Sequence, residues 1–352
     1  MNKAISTSLI VIGMFLYLAS CRVDENVAIN YTTTPYILAV PQGFPQPILA
    51  IDNPFTNEGV ALGRKLFYDP ILSLDRSLNC ASCHNPSRAF SDSSQFSLGV
   101  NNQTGVRNSQ ALINLAFQPH FFWDGRAQSL EEQILDPVQN PIEMHLPWKI
   151  AVQRLNDNKA YQLLFQKAFN QLNVDSQLVV KALAQFVRTL ISGSNSKFDR
   201  YLRGEVNLTL SELNGFSIFN TEKGDCFHCH SAQGGRLFTD RSFHNNALDF
   251  EAADRGRELV TGNINDRGKF LTPTLRNIAF TAPYMHDGRF QTMEQVVEHY
   301  NSGGIPSQFA DPLMKYQGVG LGLTNQEKTD LINFLKTLSD SSFTTNVAFL
   351  EP

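Results

Sequence analysis

Apolar positions recur at helical spacing along most of this chain, and few stretches alternate as strands do. In "SQLVVKALAQFVRTLI" (176–191), Leu178, Val179, Ala182, Leu183, Phe186, Val187, Leu190 and Ile191 fall on one stripe. That is the i, i+3, i+4, i+7 spacing of an amphipathic helix. "SLEE" (129–132) and "TMEQ" (292–295) each set a hydroxyl residue three positions before Glu or Gln, which predicts a capping box opening a helix. "TNQE" (324–327) predicts a last helix with Leu331, Phe334, Leu335 and Leu338 on one side. "SGSNS" (192–196) reads as a loop and "RGEVNLTLSE" (203–212) as a connection. The fold class expected is mainly α.

The pattern also repeats. Shifted by 163 residues, "LINLAFQPHFFWDGRAQSLEE" (112–132) lies on "LRNIAFTAPYMHDGRFQTMEQ" (275–295) without a gap. Asn114 falls on Asn277, Phe117 on Phe280, and Asp124-Gly125-Arg126 on Asp287-Gly288-Arg289. "GRKLF" (63–67) answers "GFSIF" (215–219), and "AFSD" (89–92) answers "LFTD" (237–240). Such self-similarity predicts two homologous domains, 51–205 and 206–345.

Composition narrows the partners. The 352 residues leave room for about two domains. Against 29 Lys and Arg stand 33 Asp and Glu, a net charge of −4, so no basic field points to nucleic acid. The 26 phenylalanines gather near the cysteines, which suits large apolar pockets and ordinary cores alike. After Lys3, "AISTSLIVIGMFLYLAS" is apolar but too short and poorly flanked for a membrane span. It reads as the core of a signal peptide, 1–21. "LASC" (18–21) resembles the lipobox of bacterial lipoproteins, which implies a lipid on Cys21 as the mature N-terminus. Arg22 stands where inner-membrane retention often uses aspartate, so the expected location is the periplasm, with a lipid anchor in the outer membrane as the only membrane contact. Segment 22–50, with four prolines, reads as a tether.

The other four cysteines form "CASCH" (80–84) and "CFHCH" (226–230). C-x-x-C-H is the attachment signature of c-type haem: each thiol adds to a porphyrin vinyl group, and the histidine reaches the iron. Zinc would not require a histidine after both pairs. A thioredoxin-like pair would need a βαβ setting, and two short-loop disulfides would stabilise little. Two covalent haems are expected, attached through Cys80, Cys83, Cys226 and Cys229, with His84 and His230 as proximal iron ligands.

These sites, together with "FFWDGRAQSLEEQ", "NPIEM", "TPTLRN" and "APYMHDGRF", resemble the bacterial di-haem cytochrome c peroxidase family, its MauG-like branch included, from about residue 54 to 340. The resemblance implies a peroxidatic first haem domain and an electron-transfer second one. It makes Glu143, in "NPIEM", the acid/base, and Trp123 a relay between the haems. It also implies an interdomain calcium on Asn108, Thr281 and Pro283, whose oxygens suit a hard cation. Family members are often homodimers, although no interface signal is visible.

Two departures matter. Many members carry a histidine sixteen residues after the first haem ligand that blocks the resting iron. Here the position is Val100, and the first haem is expected to be open; His120, before Trp123, is the substitute that stays possible. Fourteen residues after His286, where many members place a methionine ligand for the second haem, stands Tyr300, as in MauG-type enzymes. Met293, Val296, Val297 and Tyr300 share helical spacing, so Tyr300 faces inward. A packed tyrosine with Met285 or Met293 as ligand is the alternative. The implied activity is reduction of hydrogen peroxide to water with electrons from a small cytochrome c or cupredoxin. The alternatives are a MauG-like oxidase of protein side chains working through a high-valent state of both haems, and a plain dihaem electron-transfer cytochrome.

Overall fold

A computed structural model of the chain describes residues 31–231 and 236–352. The signal peptide, Cys21 and the first part of the tether lie outside the described residues. The architecture is mainly helical, with one two-stranded antiparallel ribbon pairing Phe243–His244 with Phe270–Leu271 among the described residues.

Each half is built on one close helix pair. Asn57–Tyr68 packs on Ser176–Arg188, and Leu210–Phe219 packs on Asn325–Lys336. The aligned glycines make both contacts. A Cβ on Gly63 would lie 1.9 Å from the Ala182 carbonyl oxygen, and one on Gly215 2.0 Å from that of Asp330. Only a residue without a side chain lets two helix backbones come so near. Behind each glycine stands the same aromatic cluster. Phe67 meets Phe186 at 5.3 Å and Phe90 at 6.0 Å, while Phe219 meets Phe334 at 5.2 Å and Phe238 at 5.9 Å. These edge-on and tilted contacts are the favoured aromatic geometries. The phenylalanines near the cysteines are thus largely core.

The repeat extends to backbone conformation. Asn114 and Asn277 both adopt left-handed φ, of 61° and 59°. Each receives a backbone N–H across its half, Asn114 from Ser192 and Asn277 from Asp340, on its side-chain oxygen. Asparagine tolerates this conformation because its side chain bonds locally.

Helix starts follow the sequence with two refinements. Thr292 and Thr324 form complete capping boxes with Gln295 and Glu327. Ser129 caps the Glu132 N–H, but the Glu132 carboxylate accepts from Gln128 rather than from Ser129. A further complete box, Thr209 with Glu212, opens Leu210–Phe219 inside the segment read as a connection.

Both ends of the described chain lie on the first half. In 31–50, Pro35 bridges to Thr56 and Phe44 packs edge-on against Phe117. At the C-terminus, Phe343 and Phe349 join the first core, and Tyr68 and Arg64 donate to the Phe349 and Leu350 carbonyls. No helix among the described residues is long and apolar enough to cross a membrane.

Candidate active site

The two C-x-x-C-H segments are single helical turns that present their histidines identically. His84 Nδ1 donates to the Phe90 carbonyl at 3.1 Å, and His230 Nδ1 to the Phe238 carbonyl at 2.9 Å. Phe90 and Phe238, with φ of 61° and 54°, turn these carbonyls inward. Burial holds both imidazoles below their ordinary pKa, so they are neutral. A proton fixed on Nδ1 leaves the Nε2 lone pair free, the tautomer an iron ligand requires. The four cysteines of these segments form no disulfides. The donor set therefore fits two covalently attached haems.

Around His84 lies a cavity of about 1280 Å³ lined by Cys80, Cys83, Trp123, Glu143 and His286 among others, ample for a porphyrin and a small substrate. Glu143 is fixed from several sides. Asn140 Nδ2 donates to its Oε1 at 2.8 Å, and its backbone carbonyl accepts from Val100 at 2.8 Å. Gly99 permits that closeness, since a Cβ there would stand 2.1 Å from the Ile142 carbonyl. Burial, then the neighbouring Asp136, pushes the Glu143 pKa above the usual carboxylate range. Val100 is buried under this loop. His120 packs on Phe243 at 5.5 Å and does not line the cavity.

Trp123 stands on the seam between the halves. Its indole N–H donates to the Asn108 carbonyl at 2.8 Å, and its own carbonyl accepts from Leu271 of the second half at 2.8 Å. Asn108 N–H in turn donates to the His286 carbonyl at 2.7 Å. Arg107, unremarked in the sequence, pairs with Asp124 at 2.6 Å and with Asp254 at 2.6 Å, tying one half to the other. Asn108, Thr281 and Pro283 line the same cavity. The Asn108 amide nitrogen donates to the Ser94 and Gln95 carbonyls, which leaves its Oδ1 available as an oxygen donor.

At the second site Tyr300 is half-buried beside Cys229 and Cys226, and desolvation pushes its phenol up to about 12. Its hydroxyl accepts from Asn246 Nδ2 at 3.2 Å. Met293 sits in the second core, whereas Met285 directs its sulfur at the same Asn246 amide, 3.4 Å away. Nearby, burial opposes a charge on His244, but Asp240 and Asp311, each 2.7 Å from a ring nitrogen, override it and push its pKa up to about 12. No motif or repeat signals Asn246, His244 or Arg107.

Comparison with known proteins agrees with this arrangement. The family model for di-haem cytochrome c peroxidase matches residues 57–207. The methylamine utilization protein MauG of Methylorubrum extorquens is 37% identical over 301 residues, covering 85% of this chain and 82% of that protein. The chain belongs to the di-haem cytochrome c peroxidase family. Cytochrome c551 peroxidase of Nitrosomonas europaea is 36% identical, covering 84% of this chain and 83% of that one. A crystal structure of a MauG-like protein associated with microbial copper homeostasis superposes with a TM-score of 0.83 at 34% identity, covering 90% of this chain and 99% of that one. As a di-haem peroxidase relative, the chain is a haem oxidoreductase with two c-type haems, and its relatives include both peroxidases and MauG.

Proposed function

We propose that the protein reduces hydrogen peroxide to water at the His84 site, with electrons arriving through the His230 site from a small periplasmic cytochrome c or cupredoxin. A haem held by Cys80, Cys83 and His84 supplies peroxide binding and the electrons that cleave the O–O bond. Glu143 moves the proton from the inner peroxide oxygen to the outer one, so that the outer oxygen leaves as water. Its raised pKa suits this, because a carboxylate with a higher proton affinity is the better base toward the inner peroxide oxygen. The observation that carries the reading is this elevated carboxyl sharing a cavity with His84, with Val100 rather than a histidine in the loop beside it. Trp123, whose carbonyl accepts across the seam from Leu271, is the relay between the sites. Asn108 Oδ1 with the Thr281 and Pro283 carbonyls would hold a calcium ion, which as a hard cation takes oxygen donors.

A second reading, oxidation of a side chain on another protein, is favoured by Tyr300. Tyrosine ligation stabilises oxidised iron, whereas methionine raises the potential. Steady-state turnover of reduced cytochrome c with peroxide separates the two. The peroxidase reading expects continuous turnover that Glu143→Gln lowers by about 10²–10⁴-fold. No turnover, with a long-lived oxidised spectrum after one addition of peroxide, would favour the second.

A further inference from the structure

Asn246 lies in the turn after the ribbon strand Phe243–His244, and it is tied twice to the helix Met293–Asn301. His299 Nε2 donates to its backbone carbonyl at 2.9 Å, while its own amide donates to the hydroxyl of the next residue, Tyr300, at 3.2 Å. The turn itself is rigid. Asn245 Nδ2 donates to the Arg267 carbonyl, Asn245 Oδ1 accepts from Ala247, and Ile305 N–H donates to the Ala247 carbonyl. Gly304 is pressed against it so closely that a Cβ there would stand 2.8 Å from Ala247.

The same amide nitrogen also reaches Met285 Sδ at 3.4 Å. One donor group therefore engages two side chains able to serve as a sixth ligand, an oxygen and a thioether. Met285 sits at φ 75° in the tight turn closed by the Tyr284–Phe290 bridge, so its side chain leaves a backbone that has little freedom to adjust. A thioether sulfur is a weak acceptor, and a phenol oxygen a better one. The shared amide accordingly fixes the tyrosine more firmly than the methionine while keeping the sulfur occupied.

We propose that Asn246 is a positioning residue that selects Tyr300 over Met285 as the distal ligand of the second haem. The inference rests on the reading of Tyr300 as that ligand. Removing the amide frees the sulfur and loosens the phenol together, so the thioether takes the iron. Outer-shell partners of this kind commonly orient a metal ligand.

The test uses the haem-loaded protein and its oxidised electronic and EPR spectra. The unsubstituted protein is expected to show a tyrosine–histidine low-spin centre that Tyr300→Phe abolishes. Asn246→Leu is expected to convert most of that centre to a methionine–histidine form, with its far-red sulfur-to-iron charge-transfer band and a raised reduction potential. Met285→Leu added to Asn246→Leu removes the band, and Met285→Leu alone leaves the tyrosine spectrum intact. Should Asn246→Leu load haem poorly, Asn246→Ser shortens the donor without adding volume and carries the same expectation. A tyrosine spectrum that survives both Asn246 substitutions overturns the proposal and leaves Tyr300 as ligand. A methionine band in the unsubstituted protein overturns the ligand reading, and the proposal with it.

Discussion

Burial and the neighbouring Asp136 raise the affinity of Glu143 for its proton, while the Asn140 hydrogen bond and Arg126 pull the other way and do not win. In the unfolded chain the same carboxyl ionises near ~4.3. Between that value and the raised one, the folded protein binds more protons than the unfolded, so stability falls as pH rises through this window. Glu143→Gln removes the penalty. The variant should melt higher than the parent at neutral pH, and the difference should vanish as pH drops below the ordinary carboxylate range. Thermal melts at several pH values read this directly; a pH-independent difference would mean that Glu143 carries no raised pKa. Glu143 was legible because it stands in "NPIEM", next to chemistry announced by cysteines. Asn246 was not. A lone asparagine has no spacing to read, and its importance comes from two partners, Met285 and Tyr300, 39 and 54 residues away.

At the scale of the element, the two helix pairs give the sharpest expectation. Gly63→Ala and Gly215→Ala would each gain about 1 kcal/mol of helix propensity on an exposed face. Here the new methyl meets a carbonyl oxygen at 1.9 Å or 2.0 Å, and overpacking of that severity outweighs the gain, at the upper end of ~1–3 kcal/mol or beyond. Both variants should therefore lower the midpoint of thermal unfolding, and by similar amounts, since the two contacts are duplicates. A variant as stable as the parent would mean that the helices separate freely. Periodicity marked Ser176–Arg188 and Asn325–Lys336 because their buried stripes are wide. It did not mark Trp148–Asn156, nine residues that bury Ala151 and Leu155, or Lys159–Phe169, eleven residues that bury Tyr161, Phe165, Gln166 and Ala168. The box at Thr209 was readable as T-x-x-E, but its helix alternates Leu, Asn, Gly and Phe without a clear stripe, and so passed for a linker.

For the molecule as a whole, duplication was plain in the chain, because each half keeps its own proximal-histidine acceptor, glycine contact and left-handed asparagine. The seam was not, since residues that join the halves have no reason to repeat. Arg107 is an ionic joint between them. Beside it, Arg257 donates across the seam to the Asp124 and Gly125 carbonyls, and neutral bonds such as Leu271 to Trp123 and Asn108 to His286, worth about 1 kcal/mol each, cross it too. Arg107 instead pairs two carboxylates, and the Asp124 side chain is only 6% exposed. Arg107→Leu leaves Asp254 without its cation while Arg126, at 3.4 Å, stays on Asp124, so the cost falls below the about 3–5 kcal/mol of leaving a fully buried charge unpaired. The pH dependence follows from Asp254. Burial raises its pKa, but the Arg107 hydrogen bond overrides this and holds it below the usual range. That pairing contributes stability above the unfolded-state value, and loses it as pH falls through the folded one. Denaturant unfolding should therefore show the largest deficit for Arg107→Leu near neutrality, narrowing toward acid as Asp254 takes up a proton in both proteins. A deficit below ~1 kcal/mol at neutral pH would mean that the halves are held by their apolar contacts, including Phe343 and Phe349 in the first core, and not by this ion pair.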